Sequence, residues 1–219
     1  MDNIWQDPEI LAVAWLTIKV SGLATGISVI IGIPLGLWLA LNEFYGKKFV
    51  VSVVNFGMGL PPVVVGLVVS LLLWRYGPLG MLGIMYTPWA MILAQAFIAS
   101  PIIAGLSFAA ISSLNPNMRL QLLSLGASRW QANMLLIREA KLGLLAAVMA
   151  GFGGVVSEVG ASMMVGGNIK GQTRVLTTAT VMEVGKGNYD IALALSFILL
   201  LVAYSVVAAL TYLQNRTIR

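Results

Sequence analysis

An all-α, polytopic membrane protein with about five transmembrane helices is the fold class this sequence predicts, and three observations carry it. Of 219 residues, 59% are hydrophobic and 10% charged, where ordinary soluble domains carry roughly a quarter charged. Five apolar runs, at about 20–41, 49–74, 88–111, 142–165 and 190–213, each reach the ~20 residues that a helix needs to cross a bilayer. Between the third and fourth runs lies a polar, basic stretch, residues 113–141, with the local grammar of a folded loop.

The first run is preceded by PEILAVAWLTI, too much for one span if all of it crossed. Counting 22 residues back from Leu41 reaches Lys19, about 33 Å along a helix, near the opposite interface, where its ammonium can snorkel. Residues 8–18, with Trp5 and Trp15 nearby, are therefore expected to form an interfacial lead-in helix. The first span carries two GxxxG pairs, Gly22/Gly26 and Gly32/Gly36, plus Pro34. The second holds Pro61–Pro62 near its middle and the third holds Ser100–Pro101. The fourth repeats small residues at Ala146, Ala150 and Gly154, continuing to Glu158, Ser162 and Gly166. Small residues let backbones approach closely in lipid, and prolines free carbonyls that neighbours or a wet cavity must cover. Two readings fit: tight bundle packing alone, or helices lining a path that opens and closes. Glu158 is either a buried, hydrogen-bonded carboxylate or part of such a path, because an ionisable group there must face protein or water. After the fourth span, Val175, Leu176, Ala179 and Met182 form an apolar strip expected to lie as a short interfacial helix. Lys170, Arg174 and Lys186 make that loop basic, read first as a solvated face and second as a surface for an acidic partner or anions.

In residues 113–141, Asn115 followed by Pro116 is an N-cap with proline at the first helical position. Leu120, Leu122, Leu123 and Leu125 supply the helix stripe. Gly126 permits the positive φ that ends a helix, and Ser128 to Gln131 has the S-x-x-Q spacing of a capping box. The expectation is a helix, a glycine turn and a second helix outside the hydrocarbon, presented to something on that side of the membrane.

Charge sets the expected topology. Lys47, Lys48, Arg119, Arg129, Arg138, Lys141, Arg216 and Arg219 fall on one side; Arg75, Lys170, Arg174 and Lys186 fall on the other, with the acidic start of the chain, Asp2, Asp7 and Glu9. Eight against four places residues 113–141 in the cytoplasm, the N-terminus outside and the C-terminus inside. The scatter of basic residues among loops argues for topology over nucleic-acid binding. No cleavable signal is expected, since MDNIWQDPEI is acidic where a signal is basic. With no cysteine and no histidine, thiolate metal sites and the usual neutral-pH general base are excluded. G-x-x-x-x-G-K-[ST] is absent, so the chain cannot cradle ATP by that device; H-E-x-x-H, C-x-x-C and G-x-S-x-G are absent too. An intramembrane enzyme is a poor fit. An ion-coupled secondary transporter, which usually shows several mid-membrane ionisable groups and a repeated half, remains an alternative of another class.

LGASRWQANMLLI, residues 125–137, resembles the cytoplasmic EAA loop of ABC importer permease subunits. Leu120-Gln121-Leu122 replaces the Glu-Ala-Ala triplet, and Arg138-Glu139 the usual Leu-Pro. WLTIKVSGLATGISVIIGIPLGLWLA, residues 15–40, resembles the family's first core helix. SEVGASMMVGGNIKGQTRVLTTATVMEV, residues 157–184, resembles the permeases of molybdate, sulfate and tungstate, and with LIREAKLGLLAAVMAGFG most closely those of tungstate.

The resemblance implies a MetI-like permease domain spanning residues 1–219, multi-pass in a bacterial or archaeal plasma (inner) membrane. It implies a homodimer, two ABC ATPase subunits on the cytoplasmic side that bind ATP and Mg, and an extracytoplasmic binding protein for tungstate or another oxyanion such as molybdate, vanadate or sulfate. It assigns the ATPase-coupling surface to Arg119, Leu125, Gly126, Ala127, Ser128, Arg129 and Trp130. Candidates for the translocation pathway are Pro61, Ser100, Glu158, Ser162 and Asn168. No cofactor is expected in the chain itself.

Overall fold

The structure is a computed structural model that describes residues 8–216; Asp2, Asp7 and Arg219, used above for topology, and Trp5, used for the lead-in helix, lie outside the described residues. Ten α-helices follow one another without a strand among the described residues.

Helix α1 (Pro8–Leu41) runs unbroken for 34 residues. The expected lead-in is therefore not a separate interfacial helix. Neither Gly nor Pro interrupts residues 9–21, and Val13 and Thr17 are buried against the protein. Pro34 is accommodated inside the helix on an exposed face.

The second expected span is two helices, α2 (Lys47–Met58) and α3 (Pro62–Leu73), meeting at 100°. Pro61 adopts φ −59°, ψ 121°, the extended conformation imposed on a residue before proline, and Pro62 opens α3, where its missing N–H costs nothing. At 12 residues each, about 18 Å, neither helix crosses a membrane alone.

Helix α4 (Pro88–Ser112) is the centre of the bundle: 61% of its most apolar stretch is buried, against α1 above all. Gly32 and Gly36 make that contact possible. A Cβ on Gly36 would lie 2.7 Å from the Ala104 carbonyl oxygen, and one on Gly32 2.9 Å from Ile103 Cγ2. Gly22 and Gly26 have nothing within 4 Å, so only the second GxxxG pair is a helix contact within the chain.

Beyond α4 come α5 (Met118–Ser124) and α6 (Arg129–Glu139), then α7 (Lys141–Val156) and α8 (Gly160–Gly166), which meet at 59°. The break at residues 157–159 shifts the phase of the small-residue repeat. Ala146 and Ala150 are exposed while Glu158, Ser162 and Gly166 are buried; the face of α7 that packs is Leu144, Ala147, Gly151 and Val155.

Helix α9 (Leu176–Gly185) is the expected short helix, and its apolar strip packs on the bundle. Leu176 and Ala179 are buried with Val13 and Leu195. The last helix, α10 (Tyr189–Arg216), is long and apolar, with 11% of its most apolar stretch buried. Among the described residues, three helices are thus long and apolar enough to cross a membrane, or up to five spans if each bent pair counts as one.

Candidate functional site

Two places gather the sequence candidates: the loop between α4 and α7, and the meeting point of the two broken spans.

The loop is built by local rules. Its entry differs from the expected N-cap at Asn115 with Pro116 opening the helix: regular helix begins at Met118, and Asn115 instead closes an Asx turn, its Oδ1 accepting from Asn117 N–H at 2.9 Å. Gly126 has φ +89°, and around it Gly126 N–H bonds the Leu123 carbonyl at 3.0 Å and Ala127 N–H the Leu122 carbonyl at 3.1 Å. These are the two bonds of a Schellman ending, which needs a left-handed residue and favours glycine there. Two residues later, Ser128 Oγ accepts from Gln131 N–H at 3.3 Å and Gln131 Oε1 from Ser128 N–H at 2.8 Å, closing the expected capping box.

Helix α6 is anchored by Ala132, Leu136 and, just beyond its end, Ala140, buried at spacings of four. Ala140 belongs to a cluster with Ile111 and Leu144, joined by Ile33, Leu37 and Ile137. The opposite side is open: Leu125 is 85% and Trp130 72% exposed. A groove of about 530 Å³ is lined there by Leu125, Gly126, Ala127, Trp130, Met134 and Arg138. Of the expected coupling residues, Leu125, Gly126, Ala127 and Trp130 line this groove; Ser128 is committed to the capping box and Arg129 is exposed beside it.

Arg119 departs from the expected surface. Its Nη1 donates to the Leu41 carbonyl at 3.1 Å, a cation on the carbonyl end of α1, where the helix dipole favours it. It fastens α5 to α1 rather than facing outward. Met134 and Arg138 line the same groove, following Trp130 at spacings of four, a signal available in the sequence.

The second place is where α3 meets α8. A Cβ on Gly66 would lie 2.6 Å from Ala161 Cα, and one on Gly160 2.7 Å from Val63 Cγ2. The break at Pro61 and the break at Glu158 are thus brought close through Val63 and Gly160. Glu158 is 9% exposed; its Oε1 accepts from Ala161 N–H at 2.8 Å, and its carbonyl accepts from the Thr177 hydroxyl at 3.0 Å. This is the buried, hydrogen-bonded carboxylate of the first reading. One turn along α8, Ser162 Oγ accepts from Gln95 Nε2 at 3.1 Å. Gln95 is 2% exposed and its Oε1 lacks a partner; a lone glutamine in an apolar helix carries no pattern that marks it in the sequence. Pro61, Glu158 and Ser162 therefore share one neighbourhood. Ser100 does not join them: it bonds Ser28 of α1 at 3.3 Å. Asn168 lies in the turn after α8, with φ +51° and a 3.5 Å bond to the Thr178 carbonyl.

The basic residues flanking α9 keep the expected exposure at Lys170 and Lys186, but each is also ion-paired. Glu9 pairs with Lys170 at 2.6 Å and Arg174 at 3.4 Å, and Glu183 pairs with Lys186 at 2.7 Å. The Lys186 ammonium first, then the Asn188 amide, hold the Glu183 carboxyl below its ordinary value.

Comparison with known proteins matches residues 32–219 to the family described as "Binding-protein-dependent transport system inner membrane component". The tungstate uptake system permease protein of Peptoclostridium acidaminophilum is 39% identical over 209 residues, covering 95% of this chain and 92% of that protein. A probable anion ABC transporter permease protein of Haloferax volcanii is 38% identical over 213 residues, covering 95% and 92%. Among solved structures, an inward-facing form of the MetNI methionine ABC transporter superposes with TM-score 0.79 at 18% identity, covering 96% of this chain and 97% of that one. That likeness establishes the MetI-like fold.

Proposed function

Because the chain belongs to the family of inner membrane components of binding-protein-dependent transport systems, we propose that the anion it passes across the membrane is tungstate. It is a non-catalytic permease subunit of an ABC importer, and that membership replaces the ion-coupled alternative. The observation that carries the choice of anion is the 39% identity over 95% of the chain to a tungstate uptake permease.

The permease works as a homodimer, with two ATPase subunits on the side of residues 113–141 and a tungstate-binding protein on the other. That places the N-terminus outside and the C-terminus in the cytoplasm. The groove beside Gly126 and Trp130 seats on the ATPase. Helices α6 and α7 are joined through Ala140, whose N–H bonds Leu136 and whose carbonyl accepts from Leu144, each at 2.9 Å. A displacement of α6 therefore travels along α7 to the break at Glu158, where α8 meets α3. Pro61, Glu158 and Ser162 form the hinge of the path in this reading, with Ser100 and Asn168 supporting its walls. Exposed Ala146 and Ala150 on α7 give a second copy a surface for close approach.

The test is reconstitution into liposomes with the ATPase and the external receptor, reading accumulated tungstate against molybdate, vanadate and sulfate. ATP- and receptor-dependent uptake, with tungstate preferred, is expected. Uptake by the isolated chain, or preference for another oxyanion, would sink the proposal. Glu158→Gln is expected to lower assembly or transport rate without changing the ranking of substrates in the same assay.

A further inference from the structure

We propose that the receptor-side end of α1 holds the phosphate headgroup of an anionic phospholipid. A groove of about 480 Å³ lies there, bordered by Trp15, Leu16 and Lys19 of α1 and by Lys170, Arg174 and Glu9. Three cations meet one carboxylate, and Glu9 is already shared between Lys170 and Arg174. Among the described residues Lys19 takes part in no salt bridge, so the described lining carries net positive charge.

Its position suits a headgroup. Lys19 lies 22 residues from Leu41, about 33 Å along a helix, against a hydrocarbon core of ~30 Å. Its ammonium therefore reaches the boundary where phosphates sit. Trp15, 62% exposed, adds an amphipathic ring of the kind enriched at that level. Below Lys19 on the same face run Leu23, Ile27 and Ile30, all exposed, at helical spacings that give an apolar track into the membrane. A free oxyanion could use the cations but has no use for that track. A diacyl lipid uses both, with its phosphate on Lys19 and Lys170 and its chains along α1.

The site is independent of the cargo and of the ATPase, so its test separates from the uptake assay. Full-length permease as purified is equilibrated with mixed phosphatidylglycerol and phosphatidylcholine, and bound lipid is read by native mass spectrometry. Wild type is expected to retain phosphatidylglycerol over phosphatidylcholine about fivefold or more, the scale expected of one basic residue at a membrane surface. Lys19→Ala should lose that preference and Lys19→Arg should keep it, while Lys170→Ala weakens it. Equal retention of the two lipids by wild type, or an unchanged preference in Lys19→Ala, would overturn the inference. Displacement of phosphatidylglycerol by millimolar phosphate or tungstate would assign the groove to a free oxyanion and overturn it as well.

Discussion

The two ends of the molecule are held in opposite ways. The turn after α8 and the start of α9 are tied to distant chain by buried side chains. Thr17 Oγ1 accepts the Leu176 N–H at 2.9 Å across 159 residues, the Thr177 hydroxyl reaches Glu158, and Glu9 grips Lys170 and Arg174. The loop between α4 and α7 takes its shape from bonds between near neighbours: the Asx turn, the Schellman ending and the capping box. Its main attachments to the bundle are the Arg119 bond to Leu41 and the face of Ala132, Leu136 and Ala140. A segment folded by local bonds keeps its shape while moving as a body, whereas one sewn in by long-range bonds is a fixed frame. The first suits a surface that receives motion and the second suits a stationary rim.

The contrast is broken most strongly at the rim. Thr173 is fully buried; its hydroxyl donates to the Gly166 carbonyl at 2.6 Å and accepts from Ile169 N–H at 2.9 Å. Thr173→Val leaves both groups without a partner, an expected loss of ~1–3 kcal/mol for each group left unsatisfied, read as a lowered thermal midpoint in detergent. Next is the loop. Gly126→Glu forces a side chain into φ +89°, though nothing lies within 4 Å of its Cβ. The strain of ~1–2 kcal/mol and the altered surface should lower ATP-driven uptake about tenfold while the thermal midpoint of the bundle stays near wild type. An unaffected Gly126→Glu transporter would remove the loop from the coupling role.

A smaller effect sharpens the locality of the loop. Ser128→Ala removes the capping box at a cost of about 1 kcal/mol, and hydrogen exchange should rise in the first turn of α6 alone. Protection lost across α7 would show that the two helices unfold together. The smallest effect is electrostatic. Glu183 has its carboxyl lowered from 4.5 by Lys186 and Asn188, so its contribution is present above that value and is lost as pH falls through it toward the lower folded value. Glu183→Gln should flatten the acid limb of stability against pH, and an unchanged limb would mean that the pair does not support the rim.

Where structure is made by neighbours in sequence, the residues announced most of it, the start of α5 at Met118 rather than Pro116 being an exception. Gly126 and the Ser128–Gln131 pair have the predicted bonds because a Schellman ending and a capping box need only a few consecutive residues. The double proline announced an interruption, but not that it would turn the chain by 100°, since the angle depends on what α3 packs against. Arg119 read as a surface cation because nothing nearby in sequence reveals the Leu41 carbonyl. The fourth span misled for a related reason. Its small-residue repeat assumed one continuous helix, and the break beside Glu158 sends its two halves to different faces.

The sequence by itself determined a helical membrane protein, the approximate positions of its apolar runs, and a self-capped loop between the third and fourth. These depend on composition and on bonds between near neighbours, so they survive any arrangement of the helices. Only the tertiary structure decided which glycine pair is a contact, Gly32/Gly36 rather than Gly22/Gly26. It also joined the two broken spans at Val63 and Gly160, and turned a basic loop into an ion-paired rim. Each of these is a distance between residues far apart in the chain, set by how whole helices fit together, and neither periodicity nor composition encodes that distance.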